Sequence, residues 1–260
     1  MDPIFLYPAA AAQHVMEKRM EVISNNLANV STTGFRKDFP IFASRTAILA
    51  KAHSLGGASD PTGGNSLLPV PYYPAVDEVV TDFSQGVSHV TNNPLDIAIA
   101  GKGFFQIQTA GGIRYTRNGS FRLSPDGLIV TQSGEPVLGE GGPISLPQGT
   151  TLIDEDGVVS VKGVEGGGPV TVGQLSLINI EDPFKLQKIG DNLFNIISAN
   201  TIPFEGKLRQ GVLEGSNVNP ITEMVAMILA MRQYEAVQKA MHGADDIATK
   251  SANQVGQLRA

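Results

Sequence analysis

The chain has 260 residues, with 29 Gly, 16 Pro, no Cys and no Trp, a length that suits one large or two ordinary domains. Without Cys there are no disulfides, thiol nucleophiles or Cys-based zinc sites, and the formal net charge of −6 argues against a general nucleic-acid binder. No apolar run approaches the ~20 residues that span a membrane, and Met1-Asp2-Pro3-Ile4-Phe5-Leu6 lacks the basic start of a secretory signal.

Residues 3–29 carry a helical pattern. Asp2-Pro3 offers a cap, and Pro8 offers an alternative first turn. Apolar residues repeat by seven in three rows: Val15 and Val22; Met16, Ile23 and Val30; Met20 and Leu27. The rows lie side by side, so the apolar face is wider than a two-stranded seam needs, and several neighbours are expected. All Met residues except Met1 fall on this pattern or on a second one at the other end of the chain. Met is unbranched and fits irregular contacts; ordinary core filling is the alternative. The run Asn25-Asn26-Leu27-Ala28-Asn29-Val30-Ser31-Thr32-Thr33-Gly34 reads locally as a helix stop, because Ser and Thr compete for helical hydrogen bonds and Gly34 permits a left-handed exit.

Residues 38–75 show little helical or strand periodicity. From Ser54 to Pro74 the density of Gly and Pro predicts an extended linker rather than a packed core. Residues 76–215 read as β structure. Leu95, Ile97 and Ile99 alternate with Asp96 and Ala98, predicting a half-buried strand, and Phe104–Ile107 continues after Gly101-Lys102-Gly103. Asn118-Gly119, Asp126-Gly127 and Asp156-Gly157 are hairpin-type pairs. Further strands are predicted at Phe121–Leu123, Leu128–Thr131, Val158–Val161, Val170–Ile180 and Leu193–Ile197.

The last forty-odd residues organise the chain. Asn219 suits an N-cap and Pro220 the first helical position. Met227, Tyr234, Met241, Ala248 and Val255 are seven apart, and Ala230, Val237, Ala244, Ser251 and Leu258 follow each by three. This a/d seam predicts a helix over 220–258, roughly 55–60 Å long at ~1.5 Å per residue. A second apolar row, Ile221, Met224, Ile228 and Met231, adds width to its first half. Core helices rarely run so long, so this one should pack along other helices.

No catalytic constellation emerges. Gly101-Lys102-Gly103 fits neither a dinucleotide loop nor a P-loop. Asp154-Glu155-Asp156-Gly157 reads as a β-turn rather than an EF-hand. His14, His53, His89 and His242 lack metal-ligand spacing, and Asp245-Asp246 reads as a wet helical step. No catalytic residue, metal or cofactor is expected.

Two motifs in this order carry a resemblance. Asn25-Asn26-Leu27-Ala28-Asn29, closing with Thr33-Gly34-Phe35, is similar to the N-terminal signature of the bacterial flagellar rod and hook family. Gly215-Ser216-Asn217-Val218, followed by Asn219-Pro220 and Glu223-Met224-Val225, resembles its C-terminal signature. Asn93–Phe105 and Tyr115–Phe121 are also close to the family's core-domain pattern, except that Ala100 or Lys102 stands where the family usually has an acidic residue.

The resemblance implies an α+β fold, with paired long terminal helices in a coiled-coil layer, an extended arm and an all-β middle domain. The expected domains are 1–34, 35–75, 76–215 and 216–260. It implies a structural axial subunit that polymerises helically with copies of itself and other rod proteins. It further implies passage through the flagellar export apparatus without a cleaved signal, residence in the periplasmic rod of the basal body, and no direct membrane span. The expected subunit interface is Val15, Met16, Met20, Val22, Ile23, Leu27, Met224, Met227, Ile228, Met231, Tyr234, Val237, Met241, Ala244, Ala248 and Val255. The start Met1-Asp2-Pro3-Ile4 differs from the aromatic start common in distal rod members, and Arg232–Ala240 is similar to proximal ones, so a proximal place is expected. The alternatives are a distal rod subunit and, from a different class, a secreted β-rich adhesin.

Overall fold

The computed structural model describes residues 3–46, 72–163, 168–197 and 200–257. The fold is mixed, with two long α-helices and a β-rich middle. It divides into two compact units. One draws on Met1–Asn25, Asp38–Val80 and Ile221–Ala260, the other on Asn26–Lys37 and Thr81–Pro220.

In the first unit lie most of helix α1 (Pro3–Ala28) and helix α2, which begins at Pro220 and runs to Gln257. On α1, Val15, Val22 and Ile23 are buried, while Met16 and Met20 are half-buried. The opposite face, with His14, Glu17, Glu21 and Ser24, is polar and exposed. This is the division that a 3.6-residue period imposes on such a sequence. Side chains of the two helices meet: Gln13 Nε2 donates to the Tyr234 hydroxyl at 2.9 Å, and Arg19 Nη1 to Gln233 Oε1 at 3.3 Å.

The same unit holds a two-stranded ribbon, Asp38–Thr46 with Tyr72–Thr81. Here the structure corrects the sequence reading, which found little helical or strand periodicity in 38–75. Phe39, Ile41, Phe42 and Val79 all remain exposed. None of the described side chains of this ribbon is buried, so they give no inward face to alternate against and the period-2 signal is weak. The Gly- and Pro-rich stretch predicted as an arm lies almost wholly in 47–71, outside the described residues.

The second unit is mainly β structure, and every strand pairing described in it is antiparallel. A six-stranded sheet runs in the order Leu186–Gly190, Leu193–Ile196, Gly112–Thr116, Phe104–Thr109, Leu177–Ile180, Thr201–Pro203. A three-stranded sheet joins Thr150–Ile153, Val158–Lys162 and Val170–Gln174. Ile97, Phe105, Ile107, Ile129, Val137 and Val159 form the middle of one fully buried core. Removing each such side chain from water stabilises the fold by about 1.5–3 kcal/mol. A smaller aromatic cluster gathers Phe104 and Phe194 with Phe83.

Three predicted details change. Ile97–Ala100 is not half-buried, because Ile97, Ala98 and Ile99 are all covered, Asp96 before it is buried too, and the strand pairs with Lys207–Gln210. Val170–Ile180 is two strands in two sheets, broken at Leu175-Ser176. Asn118-Gly119 is not a hairpin turn. A Cβ on Gly119 would lie 1.7 Å from the Ile97 carbonyl oxygen, so this glycine serves close backbone approach. Asp126-Gly127 and Asp156-Gly157 do close hairpins, with Gly127 N donating to Ser124 O and Gly157 N to Asp154 O.

Candidate assembly interface and signature junction

The heptad on α2 coincides with its covered side. Met227, Tyr234, Val237 and Met241 are half-buried, and Ala230 is 0 % exposed. Ala244 is exposed, and the side chains of Ala248 and Val255 lie outside the described residues. The second apolar row does not widen this covered face. Ile221 is 69 % exposed and Ile228 52 %, and Met224, Val225, Leu229 and Met231 are exposed with them. A run of large apolar side chains left in water over the first three turns of a helix marks a surface that associates.

Of the expected interface residues on α1, Val15, Val22 and Ile23 are covered by their own chain, and Met16, Met20 and Leu27 are partly so. Their burial gives them a packing role within the chain. Among the described residues of the expected set, the α2 row Met224, Ile228, Met231 and the small side chain of Ala244 stay open to solvent.

Nearly all the signature residues fall in the second unit, and the fold brings the two signatures together. The Gly34 N–H donates to the Glu214 carbonyl at 2.8 Å, and the Asn217 N–H to the Phe35 carbonyl at 3.4 Å. Asn217 Oδ1 accepts from Lys37 N at 2.7 Å, while its Nδ2 donates to Asp82 O at 2.9 Å and Ser84 O at 3.2 Å. One amide side chain thus ties three chain segments, satisfying backbone groups that would otherwise be orphaned. Thr33 Oγ1 donates to Asn118 Oδ1 at 2.8 Å, and Asn192 Nδ2 to Thr33 O at 2.9 Å. Gly34 has φ +69°, and a Cβ there would sit 2.5 Å from Asn118 N. The left-handed exit expected at Gly34 is present, but the helix has already ended at Ala28. Phe35 is buried beneath the Lys188 ammonium, which lies 4.3 Å from its ring centroid.

Beneath this junction lies an ion cluster that sequence reasoning missed. Arg36 is 0 % exposed, Glu214 1 % and Arg117 5 %. Glu214 Oε1 accepts from Arg36 Nη2 at 2.6 Å and from Gly86 N at 2.9 Å. Arg117 Nη1 stands 3.7 Å from Glu214 Oε2. Burial pulls the Arg117 pKa down to about 10; Glu214 pushes it up again, and Arg36 adds to the fall. All three residues lie inside or directly beside the motif segments. Glu214 stands out in the sequence as a charge between Val212-Leu213 and Gly215, whereas Arg36 is followed by Lys37 and Asp38 and Arg117 lies between Thr116 and Asn118, so neither arginine is marked by its neighbours.

The comparisons with known proteins agree with this geometry. Residues 6–36 match the family described as flagella basal body rod protein, 98–161 the flagellar hook protein FlgE/F/G D1 domain, and 209–255 the flagellar basal body rod FlgEFG protein C-terminal. The chain is 34 % identical over 260 residues to the flagellar basal-body rod protein FlgF of Caulobacter vibrioides, covering 97 % of this chain and 98 % of that one. It belongs to the flagellar basal-body rod protein family. The Escherichia coli FlgF is 34 % identical over 265 residues, covering 96 % of this chain and 97 % of that one. A Buchnera aphidicola FlgG is 37 % identical over 248 residues, covering 89 % and 92 %. In this rod-family chain the matches at 6–36 and 209–255 contain the segments that meet at the junction. Among the described residues no helix is long and apolar enough to cross a membrane.

Proposed function

We propose that this chain is a structural, non-catalytic subunit of the flagellar basal-body rod, polymerising helically with copies of itself and with other rod proteins. The observation that carries the reading is the exposed apolar row Ile221, Met224, Ile228, Met231 on α2, in a chain whose relatives are rod proteins. In a screw-symmetric stack each subunit offers one patch to a different patch on the next. α1 and α2 then form an inner helical layer in which the heptad row is used within the subunit and the exposed row between subunits. Export through the flagellar apparatus and transmission of torque from motor to hook belong to the same reading. Family membership displaces the adhesin alternative.

A proximal place rests on the non-aromatic start and on Arg232–Ala240. The distal place is the second reading, favoured by the FlgG relatives at similar identity. Ile228→Asp tests the assembly surface. At an exposed position the substitution should change the stability of the isolated chain by no more than about 0.5 kcal/mol. Cells carrying only this variant are expected to lack rods and swimming motility. Wild-type swimming would overturn the assignment of this face.

A further inference from the structure

The segment 207–217 closes the second unit. Among the described residues Lys207–Gln210 is the only strand paired with Ile97–Ala100, and Val212–Glu214 pairs with Ser88–Val90. Leu208 is buried in the core, and its N–H donates to Glu155 O at 2.8 Å. The Gln210 amide spans Pro94 O at 2.9 Å, Thr151 O at 3.0 Å and Ile153 N at 3.2 Å. From the far end of the chain, residues 33–37 lie against the same segment, and Arg36 places its guanidinium 2.6 Å from Glu214.

We propose that the Arg36–Glu214–Arg117 cluster makes the seating of residues 26–37 and of residues 207–217 a single cooperative step. If Arg36 docks without Glu214, a fully buried cation has no counter-charge. If Glu214 docks without Arg36, its carboxylate is buried facing Gly86 N and a distant Arg117. Either half-seated state carries a buried charge without its direct ion-pair partner, which costs more than one short segment's contacts return. Apolar side chains of the same size would allow each segment to settle alone. The cluster therefore makes closure of the unit wait for the C-terminal segment, and a chain without residues up to 217 in place stays open.

Native-state hydrogen exchange on the full chain in low urea tests this. The reporters are the Phe35 amide, bonded within its own segment to Thr32 O, and the Gly211 amide, bonded to Asp96 O. In the wild type the two should exchange through one opening, at rates within about two-fold and with the same urea dependence. In the triple variant Arg36→Met, Arg117→Met, Glu214→Met the openings should separate, Phe35 exchanging at least ~10-fold faster than Gly211. Glu214→Gln alone should strip protection from both amides together. Separate openings in the wild type would overturn the proposal. So would a common opening retained by the triple variant, or loss at only one amide in Glu214→Gln.

Discussion

Asn217 and Gly34 show how much of the junction rests on single residues. Asn217 supplies one acceptor and two donated contacts to two other segments of chain, at Lys37 and at Asp82 and Ser84, a combination of one acceptor and two donors that suits a carboxamide. Gly34 combines φ +69° with a 2.5 Å approach to Asn118 N. Gly34→Ala adds backbone strain and a clash with main chain that cannot move alone, so it should destabilise the second unit by about 2 kcal/mol or more, read by urea unfolding. In the ion cluster the two arginines are unequal. Arg36 bonds Glu214 directly, whereas Arg117 stands 3.7 Å away with its pKa lowered to about 10, chiefly by burial. A depressed folded-state pKa means that this group's stabilisation is present above the ordinary guanidinium range and lost as pH falls through about 10. At neutral pH the cost of burying the Arg117 cation is therefore fully in place. Arg117→Met is expected to cost less than about 1 kcal/mol, and Arg36→Met about 3–5 kcal/mol. Equal losses in denaturant titrations would contradict that ranking. The Arg117→Met variant should also lose the rise in stability that this group adds as pH climbs above about 10.

At the scale of elements, α2 is the instructive case, because it has two apolar faces with different fates. One face, built on Met227, Ala230, Tyr234, Val237 and Met241, turns to its own chain. The other, from Ile221 to Met231, stays in water. Met241→Asp puts a carboxylate on the covered face near the distal half of the helix. A carboxylate that must shed part of its hydration at this half-buried position weakens the packing of the helix, and the strands of the second unit do not depend on this row. The variant should be produced, keep the β signal of the second unit and lose helical signal by circular dichroism, and cells carrying only it should not swim. Loss of the β core, or normal motility, would count against this reading. Ile228→Asp differs in leaving the helix intact, so the pair separates packing within the subunit from packing between subunits.

For the molecule as a whole, the junction has a consequence for connectivity. Residues 33–37 are tied to 82–84 and to 214–217 by Gly34, Lys37, Asp82 and Asn217. A protease site engineered into 47–71 and cut after folding should leave two pieces that still elute together from a sizing column. They should part only in denaturant. Pieces that separate under native conditions would show that these bonds do not hold the early segment in the second unit.

Periodicity and punctuation alone determined the two helices: the apolar rows end where Asn29–Thr33 break the first, and Pro220 opens the second. Asp126-Gly127 and Asp156-Gly157 likewise announced their hairpins, because a turn is a local conformational requirement. The family was legible in short motifs, whereas the reason for those motifs was not. That Thr33-Gly34-Phe35 and Gly215-Ser216-Asn217 face each other depends on contacts 180 residues apart in the case of Lys37 and Asn217. The ribbon strands escaped notice because none of their described side chains is buried, and Ile97–Ala100 was misjudged because it buries both faces. Which apolar row of α2 is covered was also undecided by its sequence, since both rows have helical spacing and comparable hydrophobicity. Only the packing of the other elements chose one row and left the second open, and only the tertiary fold set two arginines around one buried carboxylate. Long-range contacts carry no local signature, because burial and charge pairing belong to the neighbours that a residue acquires and not to the residue itself.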